Sequence, residues 1–219
     1  MQRRELSIEK REKSRLKNKL TYGIVSVGLI FICFLAYFTL HPQNPSPNDH
    51  TTPPKAALID HLSFSSPPPN ETFNDLCKTI LENANFSYTY HRGEEVTVNF
   101  YKKLPSYGYS LIILRVHSAV IKDAQGNLTN LIGLFTSEVF NEITESMYRD
   151  DLEHSRLALA KLFIGRNDTY FGITPFFVKD KMEGDFKNTV IIMMGCEGLN
   201  HTSMAEALVQ KGAKVYISW

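Results

Sequence analysis

Residues 110–118 read SLIILRVHS, and residues 190–198 read VIIMMGCEG. Each stretch is an aliphatic run that ends on a chemically active side chain, His117 in the first and Cys196 in the second. Continuous aliphatic runs of this kind are typical of strands that are buried on both faces of a parallel sheet. In open α/β sheets the chemistry lies just beyond the carboxyl ends of the strands. If the two strands are neighbours, His117 and Cys196 form a pair of base and nucleophile.

The chain on either side of these runs alternates between strand and helix patterns. We predict strands at 56–60, 86–90, 109–116, 189–194 and 214–218, helices at 73–81, 97–104, within 146–163 and at 204–210, and a hairpin of 119–122 with 131–136. Asn70 or Thr72 is expected to cap the first helix, and Gly212 to end the last one. The alternation predicts an α/β fold, a three-layer sandwich with helices on both faces of a mostly parallel sheet.

The first 55 residues carry the signals of a membrane anchor and a spacer. Residues 1–20 hold eight Lys or Arg and three Glu, and residues 21–40 hold no charged residue. About 20 apolar residues span a bilayer as a helix, and the basic flank predicts that the N-terminus stays in the cytoplasm. A cleaved signal peptide is the alternative, although its apolar region is usually shorter and ends in a small-x-small site. Residues 41–55 contain five prolines and predict a semi-rigid linker before a domain at 56–219.

This topology places the domain outside the cell, on a single-pass protein of the cell membrane. Five N-x-[ST] sequons lie in the outer part and agree with export. A disulfide between Cys77 and Cys196 would need such an oxidising environment, but their predicted positions do not indicate one. Basic residues beside a span set topology, so we expect the membrane and a peptide or protein as partners, and no nucleic acid.

Metal and nucleotide chemistry have no motif in this chain. The seven histidines and three cysteines show no ligand spacing such as H-x₃-H or C-x₂-C. Phosphate loops of the G-x₄-G-K-[ST] or G-x-G-x-x-G type do not occur either. We therefore expect neither a metal nor a cofactor.

The two motifs together resemble the caspase-like cysteine peptidase superfamily, which includes caspases, metacaspases, clostripain, gingipains and the related CHAT domains. The shared signature is a hydrophobic strand that ends in His and a second one that ends in Cys, here LIILRVHS and TVIIMMGCEG. The tail MAEALVQKGAKVYISW resembles the family's next helix, Gly turn and strand, and 119–136 resembles its short two-stranded insertion. The resemblance covers 56–219, and membrane-anchored caspase-like proteins of archaea are the most similar in layout.

The chain departs from the family at several positions. Caspases and metacaspases carry Gly at or just past the position of Ser118, where this chain has Ser-Ala. Caspases have Gln, and metacaspases Asp, two residues before the Cys, in the pocket for the residue that precedes the cut. Met194 holds that position here, so strong selection for Lys or Arg is not expected. The family usually continues with one more strand and a pocket loop, so we expect the domain to be truncated after strand five.

The resemblance assigns roles to the residues at the strand ends. Cys196 attacks the scissile carbonyl as a thiolate, and His117 acts as general base and then as acid for the leaving amine. Backbone N–H groups of Cys196 and near Ser118 stabilise the oxyanion. Met194 and Asp60, which ends the first strand, are the candidates for the substrate pocket. The helix that follows Cys196 is expected to favour the thiolate with its positive end.

The same residues also have plainer interpretations. A cysteine at a strand end is commonly a small buried hydrophobe, and His117 is equally well explained as a satisfied core histidine. His201 is a rival base, and Glu197 is a solvated or capping acid. Arg115 is expected to pair locally.

Three functional hypotheses follow from these observations. The first is a membrane-anchored, caspase-like cysteine endopeptidase with a dyad of His117 and Cys196. The second is a catalytically inactive domain of the same fold that binds a peptide or protein outside the cell. The third is a flavodoxin-like binding domain, which predicts a buried, unreactive Cys196 with no histidine within reach. The substrate and the oligomeric state stay open.

Overall fold

The structure is a computed structural model that describes residues 52–64, 70–123, 125–161 and 168–219. These ranges belong to one compact unit, Thr52–Trp219. The predicted basic segment and membrane span, and most of the predicted linker, lie outside the described residues and stay predictions. Within the described ranges, no helix combines the length and the apolar character that crossing a membrane requires.

The described residues contain nine strands, which fall into two sheets. The strands are β1 (Lys55–Asp60), β2 (Ser87–Arg92), β3 (Leu111–Arg115), β4 (Ser118–Lys122), β5 (Leu128–Val139), β6 (Leu157–Lys161), β7 (Thr169–Ile173), β8 (Val190–Met194) and β9 (Val215–Ile217). The first sheet has the order β2–β1–β3–β8–β9, and all its described pairings are parallel. The predicted α/β class and mostly parallel sheet are thereby confirmed.

The two aliphatic runs lie side by side at the centre of this parallel sheet. Ile112 of β3 pairs with Ile191 of β8, and Leu114 pairs with Met193. All four side chains are at most 1% exposed. Burial on both faces explains why the sequence shows unbroken apolar runs rather than an alternating pattern.

The direction of the chain across the parallel sheet reverses at β1. From β1 the chain moves outward to β2, and it then returns to place β3 on the other side of β1. Open α/β sheets commonly bind ligands in a crevice beyond the carboxyl ends of the two strands on either side of such a reversal. The expected position of this crevice is beyond Asp60 of β1 and Arg115 of β3.

The second sheet is larger than the sequence suggested. The predicted hairpin is present as β4 and β5, but it belongs to an antiparallel sheet with the order β4–β5–β7–β6 in the described part of the chain. The predicted two-stranded insertion is thus wrong in extent, because β6 and β7 were not foreseen. Ile132, Leu134, Phe171 and Ile173 of this sheet are fully buried, and they pack into the same core as the parallel sheet.

Five α-helices accompany the sheets in the described residues. They are α1 (Glu71–Asn83), α2 (Val98–Lys103), α3 (Glu142–Glu153), α4 (Pro175–Asp180) and α5 (Ser203–Gln210). The predicted helices at 73–81, 97–104 and 204–210 are confirmed as α1, α2 and α5. Asn70 caps α1, since its side-chain oxygen accepts from the Phe73 N–H at 3.0 Å. Gly212 follows α5 with φ +100°, as the predicted glycine stop requires.

The helical stretch predicted within 146–163 is present as the second part of α3, which begins at Glu142 and ends at Glu153. Residues 157–161 form β6, a strand that was not predicted. The reason is tertiary, because β6 pairs along its whole length with β7. α4 was not predicted, although Thr174 caps it and Pro175 opens it, which is a common helix start.

Candidate active site at the ends of two neighbouring strands

The ends of β3 and β8 are held in close contact. Their last paired residues are Arg115 and Met194, so the chain beyond each strand starts from the same level of the sheet. A Cβ on Gly195 would collide with the carbonyl oxygen of Val116. Glycine at this position therefore lets the two backbones approach more closely than any other residue allows.

A direct hydrogen bond joins the two segments that carry the predicted dyad. The Ser118 hydroxyl donates to the backbone carbonyl oxygen of Cys196. Since Ser118 follows His117 directly, the structure brings the backbone of both predicted catalytic residues to one place, although they are far apart in sequence. The bond fixes the backbone at Cys196.

His117 lies in the two-residue connection between the parallel sheet and the antiparallel sheet. Its carbonyl oxygen accepts from the Phe135 N–H at 2.9 Å. Its half-buried ring contacts two others, with centroid distances of 6.1 Å to Phe135 and 5.7 Å to His61. Burial lowers the pKa of His117, and the nearby positive charge of Arg115 lowers it further. The ring is therefore neutral near pH 7, which is the state that accepts a proton.

Cys196 is exposed and not in a disulfide. Glu197, which follows it, has φ +59°, a left-handed conformation that is uncommon for residues other than glycine and that marks strained turns at functional sites. A Cβ on Gly198 would overlap the Ser218 hydroxyl. The cysteine thus lies on a tightly held turn with its side chain accessible, contrary to the buried cysteine that the flavodoxin-like hypothesis predicts.

No hydrogen bond joins the thiol of Cys196 to a residue that the structure describes. Contacts between a nucleophile and its base are often long without substrate and tighten in the reacting complex, so this geometry does not exclude the pair.

Cys77 is no rival for Cys196. It is buried in α1, and burial raises the pKa of its thiol to about 11. The two cysteines are both free, so the disulfide considered from the sequence is not formed.

The backbone at Ser118 is suited to the predicted oxyanion role. Because His117 and Phe135 form a hydrogen-bonded pair of the antiparallel ladder, the next pair, Ser118 with Leu134, is a non-hydrogen-bonded one. The N–H groups of such a pair point away from the partner strand. The Ser118 N–H is therefore not used by β5, and β4 is an edge strand of the described sheet.

Asp60 and Arg115 form a buried ion pair at the crevice. Both carboxylate oxygens of Asp60 accept from the same Arg115 nitrogen, at 2.7 and 2.8 Å, and the Tyr90 hydroxyl donates at 3.1 Å. The predicted local pairing of Arg115 is confirmed. Burial outweighs these partners and raises the pKa of Asp60. The carboxylate is 1% exposed, so it reaches the crevice only through Arg115.

The other residues named from the sequence make no side-chain hydrogen bond or ion pair to a residue that the structure describes. Met194 is half-buried at the last position of β8, and the pocket roles of Met194 and Asp60 stay predictions. His201 is half-buried in the turn that precedes α5. α5 begins only at Ser203, and a helix dipole acts mainly within its own first turn, so its predicted effect on Cys196 stays untested.

His61 is a residue of this region that the sequence did not single out. It follows Asp60 directly, opens a short 3₁₀ helix (His61–Phe64), and is 0% exposed. Its ring stands edge-on to that of His117 at 5.7 Å. The available signal was its position, because it follows a predicted strand at the same edge of the sheet as His117.

The described residues hold no cluster of three or more His, Cys, Asp or Glu side chains arranged to bind a metal ion. No known protein family matches the chain, and no curated protein or solved structure matches it either. The functional argument therefore rests on the site itself.

Proposed function

We propose that this protein is a membrane-anchored, caspase-like cysteine endopeptidase in which Cys196 is the nucleophile and His117 the general base. The observation that carries the proposal is the parallel pairing of β3 with β8, whose last paired residues, Arg115 and Met194, lie two positions before His117 and Cys196. An exposed cysteine on a turn after one strand, and a neutral histidine after the strand that pairs with it, are the groups that acyl transfer requires.

The reaction would proceed through a thioester. His117 takes the proton from the Cys196 thiol, and the thiolate forms a bond to the scissile carbonyl carbon. The Ser118 N–H, which β5 does not use, is one donor for the oxyanion. The intermediate expels the amine, which takes the proton from His117. Water, deprotonated by His117, then cleaves the thioester, so the acid leaves and the thiol is restored.

The residues around the crevice argue against a pocket for basic side chains. The carboxylate of Asp60 is neutralised by Arg115, and Met194 is apolar. The charge of Arg115 is in turn neutralised by Asp60, so neither residue offers an unpaired charge to a substrate. We therefore expect no strong selection for Lys or Arg before the cut.

A second candidate function is a catalytically inactive domain that binds a peptide. The observation that favours it is the thiol of Cys196, which makes no hydrogen bond to a described residue. In both cases residues 21–40 would anchor the protein and leave the site outside the cell.

The deciding experiment is the pH dependence of Cys196 alkylation by iodoacetamide in the full chain, read by mass spectrometry. After trypsin, Cys196 and Cys77 fall in different peptides, residues 188–211 and 56–78. An activated thiolate labels rapidly well below pH ~8.5, the ordinary pKa of a cysteine. We expect such labelling for Cys196 and not for Cys77.

Two variants identify the base. We expect His117→Ala to slow labelling of Cys196 at pH 7 about tenfold or more, in keeping with the size of base assistance. His201→Ala is the matched control and should leave the rate unchanged. Labelling of Cys196 that follows an ordinary thiol titration and ignores His117→Ala would leave the binding domain as the better description.

A further inference from the structure

His61 is an exception among the buried polar side chains that the structure describes, because its ring has no hydrogen-bond partner. Buried polar groups in proteins almost always have a hydrogen-bond partner. Of the buried side-chain nitrogen and oxygen atoms in the described residues, only Nδ1 and Nε2 of His61 lack one. Burial, and next the charge that His117 can carry, lower the pKa of His61 to about 4, although the nearby backbone of Thr136 favours the charged ring. A neutral, fully buried imidazole without hydrogen-bond partners lowers the stability of the fold, which points to a functional role for it.

The position of His61 is rigidly determined. Ser63, two residues later, donates to the Asp60 carbonyl at 2.6 Å and accepts from the Gly93 N–H at 2.7 Å. A Cβ on Gly93 would collide with the backbone of Phe64, so the 3₁₀ helix fits closely against this glycine. These contacts hold the 3₁₀ helix in place, and with it the backbone of His61.

The His61 ring, which this 3₁₀ helix holds, contacts the ring of His117. The two imidazoles are nearly perpendicular, at 85°, with their centroids 5.7 Å apart. Two rings joined by an N–H···N bond of about 3 Å have centroids only slightly closer than this. The terminal torsion of a histidine is broad, so a modest rotation of the His117 ring brings a nitrogen edge to His61.

We propose that His61 is the positioning residue of His117: once the His117 ring has rotated, on substrate binding or on taking up a proton, one ring nitrogen of His61 accepts its N–H. The other nitrogen of His117 is then the acceptor that faces Cys196. The tautomer of a histidine base is set by the partner of its far nitrogen. This inference rests on the proposed function, because it assigns His61 to the same dyad.

The charges around the pair allow this role. Of the charged groups that the structure describes, Arg115 of β3 acts on His117, and it is paired with Asp60 of β1. Phe64 and Phe135, which flank the two rings, carry no charge. Among the described residues, no group occupies the nitrogen atoms of His61.

The test measures His117 without relying on peptidase activity. Deuterium exchange at the imidazole C2 position, followed by mass spectrometry, gives the titration midpoint of each histidine in the full chain. Trypsin releases His117 in a peptide of residues 116–122 that holds no other histidine. The variants are His61→Phe, which keeps a buried ring without nitrogen atoms, and His61→Asn, which restores an acceptor. His154→Phe is the control, since that ring is exposed.

We expect His61→Phe to lower the His117 midpoint by about one pH unit, since the imidazolium loses a hydrogen-bond acceptor. The rate of Cys196 alkylation at pH 7 should fall about tenfold. His61→Asn should recover part of both effects, and the control should change neither. If wild-type labelling shows an activated Cys196 while the His117 midpoint ignores both His61 variants, the role of His61 is overturned alone. If wild-type Cys196 labels as an ordinary thiol, the proposed function fails and this inference with it.

Discussion

The buried imidazole of His61 makes a quantitative prediction about stability in acid. An unfolded histidine titrates at about 6.5, whereas burial lowers the pKa of His61 to about 4. Between these two values the unfolded chain binds a proton that the folded chain does not. Stability from this residue is therefore complete above pH 6.5 and is lost as the pH falls towards 4. At about 1.4 kcal/mol per pH unit, acidification from pH 7 to 4.5 costs about 2 kcal/mol.

The assay is urea unfolding of the full chain at pH 7 and at pH 4.5, for the wild type and for His61→Phe. Other groups also titrate in this range, so the quantity that matters is the difference between the two proteins. We expect the wild type to lose about 2 kcal/mol more than His61→Phe on acidification. His154→Phe serves as control, because an exposed ring has no burial penalty to release.

The same experiment measures how much His61 lowers the free energy of unfolding at neutral pH. His61→Phe breaks no hydrogen bond between described residues, and it removes two unsatisfied nitrogen atoms. Relief of such groups contributes about 1–3 kcal/mol each, offset in part by the larger ring in a packed site. We expect the variant to be at least as stable as the wild type at pH 7. Equal acid sensitivity of the two proteins, or a clear loss of stability at pH 7, would refute the assignment of a neutral, unpartnered His61.

Two further predictions concern the contacts that surround the site. Gly195→Ala places a Cβ against the Val116 carbonyl, so we expect thermal unfolding to show about 1–3 kcal/mol of destabilisation. Gly133→Ala is the control, because the nearest atom to its Cβ would be 3.4 Å away, and it should cost less than about 1 kcal/mol. Equal effects of the two substitutions would contradict the close approach of Gly195 to Val116. Asp60→Ala leaves the charge of Arg115 without its partner, and urea unfolding should show a loss of about 3–5 kcal/mol, reduced when Arg115→Met is combined with it. A double variant that is no more stable than Asp60→Ala would argue that the cost is packing alone.

The parallel sheet could be predicted because its strands are recognisable in the sequence. Ile112 and Ile191 lie within unbroken aliphatic runs, and strands of this kind are buried on both faces. The sequence between 140 and 175 gives no such signal. β6 reads LALAK, a composition that also suits a helix, and it becomes a strand only because β7 pairs with it. Local pattern cannot show a pairing of that kind.

The candidate site likewise contains some residues that the sequence could predict and some that it could not. His117 and Cys196 stand out in the sequence because each ends an aliphatic run. His61 does not, since it opens a 3₁₀ helix whose position depends on a glycine 32 residues later, and only the folded chain shows that its nitrogen atoms lack partners. The partner of Arg115 was likewise beyond sequence analysis, although a local ion pair was expected.

The bond between Ser118 and Cys196 spans 78 residues of sequence. During synthesis, the ribosome therefore adds His117 long before it adds Cys196. β3 also gains its neighbour β8 only at that stage, and contacts of such long range form late because closing the loop is slow. A nascent chain thus carries the base without the nucleophile. If the protein is a peptidase, this order of synthesis keeps it inactive until Cys196 has been added and β8 has paired with β3.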